Sequence, residues 1–172
     1  MTKDQRRLID LSERIAALEA EVKFYKFDKL TGLKRRNDFE KDFNILFDAG
    51  QPFCLVLVDV NNLKEANNES YEVGDNLIKK CVQQLAECSP LGSRNMYRYG
   101  GDEFILLLTF TREFHTEDLN CPSDMYSIAT KCSTYFKTAS DLFHSVNELL
   151  LARKKVYYNS HTNNRRKTNL DS

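Results

Sequence analysis

Two adjacent glycines between β-forming residues place the strongest constraint on the fold of this chain. Gly100 and Gly101 separate residues 95–97 from the apolar run Ile105–Leu108. A tight turn between antiparallel strands requires positive φ angles, which glycine adopts at the lowest cost. The pattern therefore predicts a β-hairpin over residues 94–110.

The predicted turn carries acidic side chains. Asp102 and Glu103 directly follow the glycines and precede an apolar strand, where a purely structural hairpin does not require them. A further carboxylate, Asp59, ends the continuous apolar run 53–58, which predicts a strand buried on both faces. If this strand lies beside the hairpin, Asp59 and Asp102 meet at one end of the sheet. A divalent cation would then offset their repulsion.

Length and charge restrict the class of protein. The 172 residues are enough for one domain with a core. The 25 basic and 25 acidic residues give zero net charge, which argues against nucleic acid as a partner. No apolar run has the length of a membrane span and the N-terminus lacks an apolar signal segment, so we expect a cytoplasmic protein without membrane contact.

The five cysteines form no C-x-x-C pair. Cys54 lies in the apolar run, and Cys81 and Cys88 share one face of a helical pattern. They are predicted to be buried thiols in a reducing cytosol. The three histidines are scattered and give no zinc-binding pattern.

An apolar seam runs through the N-terminal segment, residues 1–27, where a helix is predicted over residues 4–27. Its members alternate in steps of three and four and are Leu8, Leu11, Ile15, Leu18, Val22 and Tyr25. This spacing is typical of a short coiled coil and predicts a dimerising helix. The alternative is an amphipathic helix that packs on its own domain.

Helical periodicity predicts three further helices, with ranges 35–49, 73–87 and 140–155. A last strand is expected at 125–132, and residues 60–72 are predicted to be a solvated loop or a short polar helix. Residues 111–124 are predicted to be a loop, and 158–172 a disordered polar tail. This order predicts an α+β domain over residues 28–157.

The acidic motifs and their order resemble the GGDEF family of diguanylate cyclases over about residues 28–155. The matching segments are Asp28–Leu33, Asp59–Lys64 with Asn67 and Gly74-Asp75, and Tyr99–Phe104. The resemblance implies a palm-like, ferredoxin-like sheet, rich in antiparallel pairs and covered by helices, with the N-terminal coiled-coil helix leading into it.

The resemblance also implies a reaction in which two GTP molecules form cyclic di-GMP and release two pyrophosphates. Two Mg²⁺ or Mn²⁺ ions per active site, about 3.5–4 Å apart, would assist it. Their expected ligands are Asp59, the backbone carbonyl of Val60, and Asp102. Asp102 is also the expected proton acceptor, and Glu103 would assist at the metal site. Lys64 would stabilise the developing phosphate charge.

Substrate-binding residues follow from the same resemblance. Asn67 and Asp75 would bind the guanine edge, and Arg153 or Lys154 would contact the terminal phosphates. Because a single signature implies one GTP per protomer, catalysis implies a homodimer, which the N-terminal seam would provide.

Two segments depart from the family pattern. The purine segment 67–73 is one residue shorter than usual and lacks a Gly-His pair. Residues 91–94 lack the Arg-x-x-Asp sequence of an inhibitory product site, so we predict no product inhibition of that type. The alternative to an active cyclase is a catalytically degenerate domain that acts as a nucleotide-binding or protein-interaction regulatory module.

Overall fold

The computed structural model describes residues 2–89, 94–109 and 123–168. The strands in these residues are β1 Lys34–Arg35, β2 Phe53–Val60, β3 Met96–Arg98, β4 Glu103–Thr109 and β5 Tyr126–Cys132. The helices are α1 Lys3–Lys26, α2 Arg36–Asp48, α3 Leu63–Glu69, α4 Tyr71–Cys88 and α5 Ala139–Thr168. The strands form one sheet in the order β1-β3-β4-β2-β5.

Strand β2 is the buried strand of this sheet. Every residue from Phe53 to Val60 is buried, as expected for an uninterrupted apolar run. It pairs antiparallel with β4 on one side and with β5 on the other. The predicted hairpin is confirmed, because β3 and β4 pair antiparallel with Met96 opposite Leu106. The reason given for it is wrong, since Gly100 and Gly101 do not adopt positive φ.

The two faces of the sheet bury separate apolar clusters, because successive side chains of a strand point to opposite faces. On one face, Val56 packs in a cluster with Ile78 and Leu85 of α4. On the other, Leu55 packs in a cluster with aromatic residues of α2 and apolar residues of α5, including Phe39 and Leu142. The predicted α+β architecture of a sheet covered by helices is confirmed.

Local signals determine where the helices begin and end. Helix α2 is followed by Gly50 at φ 63°, a conformation that ends a helix at low cost when the residue is glycine. At the start of α4, the Ser70 hydroxyl oxygen accepts the Val73 backbone N–H at 3.2 Å. The segment 60–72, predicted to be a loop or short polar helix, contains the short helix α3.

Two features of the fold were not predicted from the sequence. The two-residue strand β1 pairs in parallel with β3, with Lys34 opposite Tyr97. Helix α5 continues to Thr168, so the prediction of a disordered tail is wrong for residues 158–168. A polar segment can extend an existing helix because the cost of nucleation has already been met.

The prediction of unpaired thiols is wrong for Cys54, Cys88 and Cys132. Each of them is disulfide-bonded, and Cys54 pairs with Cys132. These two residues face each other in the antiparallel register of β2 and β5, a pairing that sequence spacing does not reveal. Cys81 is a free, buried thiol as predicted, and burial raises its pKa to about 11.

Helix α1 is confirmed as a helix, and its apolar seam is exposed. The exposed fractions of the seam residues range from 46% at Leu11 to 67% at Leu8 and Tyr25. The alternative in which this helix packs on its own domain is therefore wrong.

Within the described residues, no helix combines the length and the apolar character needed to cross a membrane. Most of the predicted loop 111–124 lies outside the described residues. Residues 91–93, in the segment that lacks the inhibitory Arg-x-x-Asp sequence, also lie outside them.

Candidate active site

The end of β2 and the turn of the β3–β4 hairpin form one acidic corner of the sheet. In the antiparallel register, Asp59 lies opposite Glu103. The Val60 N–H donates to the Asp102 carbonyl at 2.9 Å. We call Asp59, Val60, Asp102 and Glu103 the acidic corner. The structure thus brings together the two carboxylates that the sequence predicted to meet.

Burial and mutual repulsion make this corner electrostatically unusual. Asp59 is only 4% exposed. Burial raises its pKa, the charge of Asp102 adds to this effect, and Lys154 opposes it. The pKa of Glu103 is also raised, first by burial and then by the charges of Asp102 and Asp59. The corner therefore favours bound positive charge.

Lys154 of α5 supplies part of that positive charge. Its Nζ donates to Asp59 Oδ2 at 2.7 Å. Burial tends to lower the pKa of Lys154, but the hydrogen bond to Asp59 and the charge of Asp102 raise it overall. The lysine is therefore charged at neutral pH. Its neighbour Arg153 points elsewhere, because its guanidinium donates to the Ile128 carbonyl of β5.

The acidic corner presents oxygen atoms of the kind that bind magnesium or manganese, one of which, Asp59 Oδ2, accepts from Lys154 Nζ in this structure. Two carboxylates, Asp59 and Asp102, and the backbone carbonyl of Val60 are hard donors of the type that Mg²⁺ prefers. The described part of the chain has no cluster of three or more metal-ligating side chains. Two carboxylates nevertheless suit Mg²⁺, because this ion retains several of its waters.

The residues expected to act on the substrate are divided among three helices, with Arg153 and Lys154 on α5 and Lys64, Asn67 and Asp75 on α3 and α4. Lys64 is exposed on α3, and Asp75 is exposed on the first turns of α4. Asn67 of α3 lies directly against Gly74 of α4, where a Cβ atom would collide with the Asn67 side-chain oxygen. Gly74 thus permits the close approach that places Asn67 and Asp75 at one crossing of two helices.

An ion pair fastens the Asp28–Leu33 segment to the hairpin turn. The Arg98 guanidinium donates to Asp28 Oδ1 at 2.8 Å and to the Gly101 carbonyl at 2.7 Å. The same carboxylate accepts from the Thr31 backbone N–H and hydroxyl at 3.0 and 2.8 Å. Burial opposes these bonds, but together with the Arg98 charge they hold the pKa of Asp28 below its ordinary value.

Sequence reasoning missed the roles of the two asparagines that follow β2. Asn61 is 1% exposed, donates to the Asp124 carbonyl at 3.1 Å, and accepts from the Ser127 hydroxyl at 2.9 Å. Asn62 donates to the Tyr157 hydroxyl at 2.9 Å. Their polarity suggested a solvated loop, and no local signal identifies their partners, which lie 63–95 positions away.

Residues 25–145 match the protein family described as "Diguanylate cyclase, GGDEF domain". Among curated proteins, the chain is 34% identical over 98 residues to diguanylate cyclase VdcA of Vibrio cholerae, covering 56% of this chain and 28% of that protein. It is 34% identical over 83 residues to the probable diguanylate cyclase DgcI of Escherichia coli, covering 48% and 18%. The match thus spans less than a third of these relatives.

Solved structures show the same fold at low sequence identity. The coiled coil and GGDEF domain of DgcB from Caulobacter crescentus, in complex with c-di-GMP, has a TM-score of 0.66 and 18% identity, covering 90% of this chain and 95% of that one. Diguanylate cyclase SiaD of Pseudomonas aeruginosa, in complex with its activator SiaC, has a TM-score of 0.60 and 20% identity, covering 90% and 70%.

Proposed function

Since the chain belongs to the GGDEF domain family of diguanylate cyclases, we propose that it condenses two GTP molecules into cyclic di-GMP. The observation that carries the proposal is the acidic corner, where the Val60 N–H bonds to the Asp102 carbonyl and Asp59 lies opposite Glu103. Burying Asp59 next to two other carboxylates is unfavourable and only partly offset by Lys154, and such an arrangement favours a cation-binding role.

In the proposed reaction, each residue of the site has a role. Asp59, Asp102 and the Val60 carbonyl would hold two Mg²⁺ or Mn²⁺ ions, which when bound would acidify the attacking 3′-hydroxyl and neutralise phosphate charge. Asp102 accepts the hydroxyl proton, and Glu103 assists at the same corner. Lys64 stabilises charge on the phosphate under attack.

Substrate orientation would be the task of the helices. Asn67 and Asp75, at the α3–α4 crossing, bind the guanine edge. Lys154 lies at the acidic corner already, so of the two basic neighbours it is the better placed to contact the terminal phosphates, in exchange for its bond to Asp59. Arg153 would have to give up its bond to the Ile128 carbonyl to do so.

Each protomer would bind one GTP, so two sites must face each other in a homodimer. The exposed seam of α1 supports this part of the proposal, because a helix with such a seam is stabilised by burying it against a second copy.

The test is to incubate the purified protein with GTP and Mg²⁺, with ATP and Mg²⁺, and with both nucleotides, and to identify products by mass spectrometry. Cyclic di-GMP from GTP, absent in an Asp102→Ala variant, supports the proposal. A mixed or adenine product keeps the reaction class and changes the purine. No product at high protein concentration refutes the cyclase, and calorimetric titration with GTP then tests the regulatory-module alternative.

A further inference from the structure

The turn between β2 and α3 has a strained residue at its centre. Asn62, the N-cap of α3, has φ 58°, and it is the one non-glycine residue with positive φ in the part of the chain that the structure describes. Asparagine tolerates this conformation better than most residues, but surrounding contacts must still maintain it. This turn sets the direction of the Val60 carbonyl on one side and of Lys64 on the other.

Helix α5 contacts this turn through two hydroxyl groups: the Asn62 backbone N–H donates to the Tyr158 hydroxyl at 3.5 Å, and the shorter bond involves Tyr157 and the Asn62 side chain. The Tyr157 hydroxyl oxygen accepts from Asn62 Nδ2 at 2.9 Å, and one helical turn earlier Lys154 bonds to Asp59 at 2.7 Å. Residues three apart in a helix share a face, and the two partners are also three residues apart. One face of α5 thus contacts both ends of the segment 59–62.

Core packing does not account for Tyr157. Its ring contacts are with Tyr158 and His161, which belong to the same helix. Its hydroxyl bond to Asn62 links it to the site, and phenylalanine would keep the ring contacts without that bond.

We propose that Tyr157 is a positioning residue of the active site, which acts through Asn62 to hold the β2–α3 turn in its substrate-binding geometry. The inference rests on the proposed function for its nucleotide and goes beyond it in assigning a task to the part of α5 that follows residue 155. Tyr157 itself touches neither the nucleotide nor the reacting atoms.

The experiment compares Tyr157→Phe, Asn62→Gly and the double variant with Tyr135→Phe, which removes a hydroxyl from an exposed tyrosine away from the site. Glycine at position 62 retains the positive φ at low cost while removing the side-chain bond. One readout is the affinity for Mg²⁺ with a GTP analogue that has a methylene bridge between the α and β phosphates. The other is amide hydrogen exchange at Ala66, whose N–H donates to the Asn62 carbonyl at 3.0 Å.

We expect Tyr157→Phe to weaken analogue binding roughly 3- to 10-fold, the effect of one lost hydrogen bond, and to speed exchange at Ala66. Tyr135→Phe should change neither. In the Asn62→Gly background, Tyr157→Phe should have no further effect, because the two side chains act as one unit.

Two results overturn the inference: Tyr157→Phe behaving like Tyr135→Phe, or the losses multiplying independently in the double variant. Failure of the wild-type protein to bind the analogue refutes the proposed function instead. The exchange rate at Ala66 then decides alone, since faster exchange in Tyr157→Phe supports the positioning contact and an unchanged rate overturns it.

Discussion

At the scale of single residues, the site is a concentration of negative charge with one cationic contact. Asp59 is buried, its repulsive neighbours are Asp102 and Glu103, and Lys154 donates to it. Removing the charge of Asp59 therefore leaves Lys154 without its carboxylate and removes one of the two side chains expected to hold a cation. These two consequences can be separated by measuring the response to a cation rather than stability itself.

We expect Mg²⁺ or Mn²⁺ to raise the melting temperature of the wild-type protein and not that of Asp59→Asn. A ligand that binds the folded state at ten times its dissociation constant stabilises it by about 1.4 kcal/mol. The measurement is thermal unfolding of each protein with and without the cation, so any baseline destabilisation of the variant cancels. Asp48→Asn, a charge removal at an exposed position, should retain the full response. An undiminished response in Asp59→Asn would show that the cation binds elsewhere.

The Asp28–Arg98 pair gives a prediction about pH. The folded-state pKa of Asp28 lies below its ordinary value of 3.8. Its contribution to stability is therefore complete above pH 3.8 and is lost as pH falls through the folded-state pKa. Asp28→Asn should lower the free energy of unfolding by about 1–3 kcal/mol at pH 7, and the gap should narrow at pH 3. Urea unfolding of both proteins at pH 7 and pH 3 measures this difference in the free energy of unfolding. The same difference at both pH values would contradict this account.

At the scale of secondary-structure elements, the crossing of α3 and α4 depends on one glycine. Gly74 is buried inside α4, and a Cβ atom there would collide with the side chain of Asn67. Alanine is the better helix former by about 0.5–1 kcal/mol, so the substitution trades a local gain in α4 against displacement of Asn67. The substitution can therefore test the proposed substrate-binding role of Asn67 separately from the stability of α4.

We expect Gly74→Ala to reduce affinity for the GTP analogue by roughly tenfold while changing stability little. Asn67→Ala removes the colliding side chain, so in that background Gly74→Ala should have no further effect on affinity. Calorimetric titration of the wild type, the two single variants and the double variant measures the affinities, and their melting temperatures measure stability. Equal affinities of wild type and Gly74→Ala would remove Asn67 from the substrate site.

The elements that could be predicted from the sequence are those with a strong local pattern. The apolar run of β2, the paired glycines of the hairpin and the period of α4 each define their element without reference to distant residues. The two-residue strand β1 carries no such pattern, since Lys34 and Arg35 are polar and their partner strand lies about sixty residues away. The register of β2 with β5 is equally non-local, and with it the Cys54–Cys132 bond.

The same distinction applies to the site. The acidic residues were identified because each follows an apolar strand or a glycine pair, positions at which the local sequence pattern does not require a carboxylate. Asn62 and Tyr157 are 95 residues apart, and their contact depends on where α5 crosses the end of β2. The choice between Arg153 and Lys154 also depended on where α5 crosses β2. Adjacent residues of a helix point in different directions, and the sequence alone does not show which of the two faces the site.

At the scale of the whole molecule, the sheet and its helices bury two apolar clusters, whereas the apolar seam of α1 is exposed. The clusters on either face of β2 are closed by α4 on one side and by α2 and α5 on the other. The seam of α1 faces solvent along its length. Under the proposed function, one acidic corner would bind one GTP, so catalysis would require a second copy, and the exposed seam of α1 offers a surface for that contact.

We expect the double substitution Leu11→Glu and Leu18→Glu to convert a dimer into a monomer by placing charges in the seam. Cyclase activity at low protein concentration should fall at least about tenfold and recover as protein concentration rises, because the active sites themselves are intact. Sedimentation velocity over the same range of protein concentrations should show the dimer fraction rising in parallel with the cyclase activity. The matched control is Ile9→Glu with Ala16→Glu, which adds the same charges at the same spacing on the opposite face of α1. If both double variants lose activity equally, or if the seam variant is inactive at every concentration while still dimeric, the seam is not what brings the two active sites together.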